Sequence, residues 1–103
     1  MISEKKLEKI LRTVIKTGKV VIGTKQVSKS IKGSKLVIYS SSLSKERTYE
    51  LIRICKSLSV PFIEYGGTSM DLGRICGKLF LISAISIKSS GEVDLDPIIS
   101  NLE

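Results

Sequence analysis

The sequence predicts an α/β fold, a three-layer α/β/α sandwich around a four-stranded sheet, and two observations carry that prediction. Stretches with apolar residues at helical spacing alternate with short apolar runs, the longest of them spanning 80–87. Glycine, proline or a serine cluster marks each change of period, as at Gly18, Gly33, Val60-Pro61, Gly66-Gly67 and Ser89-Ser90-Gly91. At 103 residues and 42% hydrophobic content, residues 1–103 make one domain that buries roughly two-thirds of its unfolded surface. Right-handed crossovers then put helices on both faces of the sheet, while strand order and direction stay open.

Taken in order, Ser3 is placed to cap a first helix over about 4–16, with Glu4 in its first turn. Leu7, Ile10, Leu11, Val14 and Ile15 form its core stripe, and Lys5, Lys9, Arg12 and Lys16 line another face, most simply a solvated one. Gly18 stops this helix, and 20–22 is a short buried strand. Gly23 turns the backbone sharply, and Thr24 caps a second helix over about 25–32 that Gly33 ends. The run 36–39 is the next strand, followed by the small polar segment Ser40-Ser41-Ser42-Leu43. Ser44 caps a third helix over about 45–58, with Leu51, Ile52, Cys55 and Leu58 on its buried side. After the Val60-Pro61 break, 62–64 reads as a strand. Thr68-Ser69-Met70-Asp71 has the form of a capping box, Asp replacing the usual Glu, and opens a short helix to about Cys76 that Gly77 closes. The run 80–87 is apolar on both faces and is expected to be a central strand. Asp96-Pro97 signals a last short helix containing Ile98, Ile99 and Leu102.

Seventeen Lys and Arg against 10 Asp and Glu give a net charge of +7. A folded domain this basic points to a polyanionic partner, most often nucleic acid. Cys55 and Cys76 stand far apart among apolar residues, so they are expected to be reduced core thiols. Two isolated thiols and no histidine leave no metal site. Neither an apolar signal core nor an apolar run of ~20 residues is present, so a cytoplasmic protein without membrane contact is expected.

Enzymatic chemistry finds little support. Without histidine no Ser-His-Asp or Cys-His set is possible, and no cofactor is implied. Gly66-Gly67-Thr68-Ser69 invites comparison with a phosphate loop, yet it lacks the GxxxxGK[ST] pattern and reads better as a helix cap. Nucleic-acid binding has more to offer. In the second helix Lys25, Lys29 and Lys32 share one face and Val27 and Ile31 the opposite one. The apolar pair packs on the sheet, leaving a basic stripe beside a helix N-terminus whose amides and dipole attract phosphate. Gly23 permits close backbone approach, and Gln26 carries a donor and an acceptor suited to a base edge. An ordinary amphipathic helix with a solvated lysine face fits the spacing equally well. Phe80 at the start of the central run is by composition a core residue; beside the second helix it would instead stack on an extruded base. With only 5% aromatics, recognition of a folded RNA by shape fits better than a stacking platform for single strands.

The segments Thr17-Gly18-Lys19, Gly23-Thr24-Lys25-Gln26-Val27-Ser28-Lys29, Gly33-Ser34-Lys35-Leu36-Val37-Ile38, Gly67-Thr68-Ser69-Met70-Asp71-Leu72-Gly73 and Gly77-Lys78-Leu79-Phe80 together resemble the L-thirty-e branch of the L-seven-Ae superfamily of RNA-binding proteins. The resemblance runs in order from about Leu7 to Leu95. It implies an α/β/α sandwich with a four-stranded mixed sheet that binds large-subunit ribosomal RNA, with relatives that recognise kink-turns. Carried over, one wall of the RNA site is Gly23, Thr24, Lys25, Gln26 and Lys29, and the opposing wall is Lys78, Leu79, Phe80 and Leu81, with Phe80 stacking on RNA. A third segment contributes Ser42, where relatives often carry an asparagine, and Arg47. The superfamily's Asn-Glu pair at the helix start is Lys25-Gln26 here, which favours the L-thirty-e branch. The Ile/Lys-rich composition and the lack of a eukaryotic extension point to an archaeal version.

The expected function is thus that of a structural constituent of the large ribosomal subunit, not an enzyme. Its partners would be ribosomal RNA and other ribosomal proteins, with a monomer when free. The lysine face of the first helix would suit a second RNA contact. The alternative reading is a kink-turn-binding component of a guide-RNA or RNase P ribonucleoprotein, and a nucleotide-binding domain using 66–69 is a reading of another class.

Overall fold

The computed structural model of the chain describes residues 4–93 and Leu95. In order, its elements are α1 (Glu4–Thr17), β1 (Lys19–Ile22), α2 (Thr24–Lys29), β2 (Leu36–Ser40), α3 (Lys45–Ser57), β3 (Phe62–Tyr65), α4 (Ser69–Ile75) and β4 (Ala84–Ser89). The strands form one mixed sheet in the order β1-β4-β2-β3, in which β4 runs antiparallel to β1 and β2, and β2 parallel to β3.

Side-chain alternation along the strands produces the three layers. Leu36 and Ile38 of β2, with Ile85 and Ile87 of β4, face one side, where Leu7, Leu11 and Val14 of α1 and Leu72 and Ile75 of α4 cover them. Val37, Tyr39 and Ala84 face the other side, under Val27, Ile31, Leu51 and Cys55. All of β2 is buried, as a strand covered on both faces requires. Burying one Leu side chain contributes roughly 1.5–3 kcal/mol, so the stripe on α1 outweighs any surface charge pair on that helix. The exposed pair Arg12–Glu8 at 3.8 Å is such a minor contact.

The caps at Ser44 and Thr68 form as predicted. The Arg47 N–H donates to Ser44 Oγ at 3.3 Å. Thr68 and Asp71 exchange backbone-to-side-chain bonds of 3.1 Å in both directions, a complete capping box.

Three elements differ from expectation. The second helix ends at Lys29 instead of Lys32, and its N-cap is Gly23, with Thr24 the first helical residue. The last turn tightens as the Ser30 N–H donates to Val27 O at 3.0 Å and Ser30 Oγ donates to Gln26 O at 2.6 Å, and the Lys88 ammonium donates to the Ser30 carbonyl and, at 2.9 Å, to that of Lys32 beyond the helix end. Lys32 consequently lies in a turn, and the basic stripe is reduced to Lys25 and Lys29, although Ile31 is still buried. The last strand begins at Ala84 rather than Phe80 and runs on to Ser89. The Lys78 N–H donates to Gly73 O and the Ile82 N–H to Ser69 O, both at 3.0 Å, so the backbone over 78–82 is tied to α4 and withheld from the sheet. Its central place between β1 and β2 is as expected. Leu58, expected on the buried side of α3, is the C-cap and lies exposed, leaving Leu51 and Cys55 as the buried pair. The Ser3 cap and the helix after Asp96 lie outside the described residues.

Both cysteines are buried free thiols, and burial pushes each from 9.0 up to about 11. Folding thus favours the neutral thiol. Its stabilising effect is complete below the unfolded value near 9 and is lost as pH rises through the folded value near 11. Urea midpoints should therefore fall across that alkaline window. A Cys55→Ala, Cys76→Ala double variant should show a shallower fall, and neither thiol of the native protein should react with a thiol reagent near pH 7.

Candidate nucleic-acid interface

Strand direction assembles the site. β1, β2 and β3 all end at the edge of the sheet where β4 begins, with Ile22 opposite Ile85, Tyr39 opposite Ala84 and Ser40 opposite Tyr65. Backbone bonds continue across this edge. Gly23 N–H donates to Ala84 O at 3.0 Å, Ser40 N–H to Ser83 O at 2.8 Å, and Ser41 N–H to Tyr65 O at 3.0 Å. The three segments singled out in the sequence, 23–29, 42–47 and 78–81, therefore meet at one end of the molecule. α2 and α3 leave it on one face of the sheet, while α4 and the stretch 77–83 lie on the other. The edge has two walls.

The first wall starts at Gly23, which sits at φ 110°, ψ 140°, a backbone conformation that L residues rarely adopt. A Cβ there would lie 2.5 Å from Gln26 Oε1, so the Gln26 side chain folds back over the glycine. Gly23 has no side chain to bond the first-turn amides, and Lys25, Gln26 and Lys29 are exposed. Because α2 has only six residues, its dipole is far weaker than that of a full helix. The positive potential here is carried by the lysines and the first-turn amides, a correction to the expectation that the dipole contributes strongly. Arg47 completes the wall across an open groove of about 590 Å³ between α2 and α3, which Thr24, Ser28, Glu46, Glu50 and Ile54 also line. No ion pair among the described residues engages Lys25, Lys29 or Arg47.

The second wall is apolar and exposed. Leu79 is fully exposed and Phe80 is 54% exposed, with Leu81 and Met70 open as well. The Phe80 ring is thus outside the core, which overturns the assignment that composition favoured. Gly73 makes this possible: a Cβ on it would fall 2.1 Å from the Phe80 carbonyl oxygen, so only glycine lets the segment lie on α4. Lys78 at its base is partly buried.

Ser42 stands between the walls, and its hydroxyl is engaged within the protein. It contacts Ser40 Oγ at 2.8 Å and Ser69 Oγ at 3.1 Å and accepts the Ser69 N–H at 3.1 Å. The turn at 66–69 that resembled a phosphate loop is likewise occupied: the Gly67 carbonyl accepts from Ser40 and Ser41, and Thr68 and Asp71 cap each other. The Thr68 N–H, and then its hydroxyl, hold the Asp71 carboxyl below its ordinary 3.8, with Arg74 adding a surface contact at 3.2 Å. Among the described residues no group of three or more His, Cys, Asp or Glu side chains is placed to hold a metal, and no helix is long and apolar enough to cross a membrane.

Sequence reasoning missed the groove residues Glu46 and Glu50, exposed Met70, and the serine row joining the two walls. The i, i+4 spacing of the glutamates beside Arg47 and the cluster at 40–42 were the available signals.

A glycine-turned basic wall and an exposed aromatic arm meet at one sheet edge, and comparison gives the chain a family. Over residues 5–95 the chain matches the Ribosomal protein L7Ae/L30e/S12e/Gadd45 family, and it belongs to that family. It is 42% identical to the large ribosomal subunit protein eL30 of Saccharolobus solfataricus over 84 residues, covering 80% of this chain and 78% of the relative. Identity to the eL30 protein of Sulfurisphaera tokodaii is 37%, covering 82% of each chain. To that of Methanosarcina mazei it is also 37%, covering 86% of this chain and 84% of the relative.

Gly23→Ala tests the local geometry. Strain at positive φ, together with the displaced Gln26 side chain, should cost about 1–3 kcal/mol in urea denaturation. An unchanged midpoint would show that the turn tolerates a side chain.

Proposed function

We propose that the protein is a structural constituent of the large ribosomal subunit and binds structured, kink-turn-like ribosomal RNA at the two-walled edge. The observation that carries this reading is the meeting of Lys25, Lys29 and Arg47, in no ion pair among the described residues, with exposed Phe80 at one end of the sheet, in a chain whose family relatives are ribosomal proteins. Lys25, Lys29 and Arg47 neutralise phosphates, Gly23 and Thr24 admit the backbone closely, and Gln26 meets a base edge. Lys78 supplies charge beneath the second wall. Phe80 stacks on a base, flanked by Leu79 and Leu81. Ser42 is exposed, yet it acts through its bonds to the protein, since its hydroxyl already contacts Ser40 and Ser69.

The role is one of binding and assembly without catalysis. The partners are large-subunit ribosomal RNA and neighbouring ribosomal proteins, the place of action is the cytoplasmic ribosome, and the free protein is a monomer. The relatives at 37–42% identity are named as proteins of the large subunit, which disfavours the guide-RNA alternative.

Lys25→Ala and Lys29→Ala should each weaken binding to a kink-turn RNA and lower the salt slope by roughly one. Titrations at several salt concentrations check this, and two unchanged slopes would remove the wall from the site. Phe80→Ala should cost about 1–3 kcal/mol of binding with little change in stability, because the ring is exposed. Full affinity in that variant would rule out stacking.

A further inference from the structure

The serine row at the site has a single direction. A hydroxyl has one proton to donate and two lone pairs to accept with. The Gly67 carbonyl can only accept, so Ser40 Oγ donates to it at 2.8 Å. Ser40 is therefore the acceptor in its 2.8 Å contact with Ser42 Oγ, and it also accepts the Ser42 N–H at 3.1 Å. With its proton committed to Ser40, Ser42 accepts from Ser69 Oγ at 3.1 Å as well as from the Ser69 N–H. Ser69 in turn accepts from Ser83 Oγ at 2.8 Å. One assignment satisfies every contact: Ser83 donates to Ser69, Ser69 to Ser42, Ser42 to Ser40, and Ser40 to the Gly67 carbonyl.

The row ties together segments that the sequence keeps apart. Ser42 belongs to the turn leading to Arg47, and Ser83 ends the segment that carries Phe80. Ser69 holds both, since its carbonyl also accepts the Ile82 N–H at 3.0 Å. All four protons are committed, so a phosphate oxygen arriving here would find no hydroxyl donor in the row. The remaining capacity is for accepting only, on Ser69 and Ser83.

We propose that Ser69 is a positioning residue of the RNA site, fixing the Phe80 arm against the Ser42–Arg47 arm through this one-way row of hydroxyls. The proposal rests on the RNA reading above and goes beyond it, because none of these serines is asked to touch RNA.

The test uses the full chain with Ser69→Ala, Ser42→Ala, Ser69→Thr, Phe80→Ala and the Ser69→Ala, Phe80→Ala pair. It reads amide hydrogen exchange in the free protein and binding to a kink-turn RNA. The Ile82 amide should exchange faster in Ser69→Ala and also in Ser42→Ala, where the substituted residue is distant in sequence. RNA affinity of Ser69→Ala should fall roughly tenfold with an unchanged salt slope, because no phosphate contact is lost. The Phe80→Ala loss should be smaller in the Ser69→Ala background than alone, and Ser69→Thr, which keeps the hydroxyl, should restore affinity. Unchanged Ile82 exchange in Ser42→Ala, or strictly additive losses in the pair, would overturn the proposal. Faster Ile82 exchange alongside no RNA binding by the unsubstituted protein would support the coupling of the arms and remove the RNA reading instead.

Discussion

The insertion of β4 antiparallel between β1 and β2 is the constraint on which the rest of the molecule depends. Being central and covered on both faces, this strand favours apolar residues on both sides; Ala84, Ile85 and Ile87 meet that demand, while Ser86 is buried with no hydrogen-bond partner for its hydroxyl among the described residues. Its direction forces β1 and β2 to end where it starts, and the parallel pairing of β3 with β2 adds a third strand end. The edge proposed to bind RNA is then a topological result. The sequence separation among Gly23, Ser42 and Phe80 is closed by pairing register, and the serine row then ties the Ser42 arm to the Phe80 arm.

Charge and apolar surface divide between the two walls for a physical reason. Lysines of α2 stay in water because Val27 and Ile31 take the buried side, and no ion pair among the described residues engages them. The opposite wall is built from backbone bonds to α4, which use the N–H groups of Lys78 and Ile82 and turn the intervening side chains outward. Glu46 and Glu50 in the groove moderate the positive wall. The field there is shaped by side chains at known positions rather than by a helix dipole.

Most of the fold was legible because period and punctuation agreed. The core stripe of Leu7, Leu11 and Val14, the Ser44 cap and the Thr68–Asp71 capping box all followed from local spacing. The failures were tertiary. Nothing local says that Lys88 would satisfy carbonyls after Ser30 and so shorten α2, or that Ser69 and Gly73 would hold 78–82 away from the sheet. Phe80 shows the same limit: its composition says core, while its exposure follows from a glycine seven residues earlier. For the site, residue types pointed to Lys25, Lys29 and Phe80 by chemistry, but the hydroxyl row was invisible because serines carry no periodic signal.

The bond from Lys88 to the end of α2 has a further consequence. A helix of six residues is too short to hold its own direction, and here its far end is tethered to β4 while its near end is bonded to Ala84 of the same strand. The arm bearing Phe80 runs directly into that strand as well. Both walls are therefore mounted on the same covered central strand. Anchoring two surfaces to one buried strand lowers the freedom the protein has to lose when a ligand docks between them.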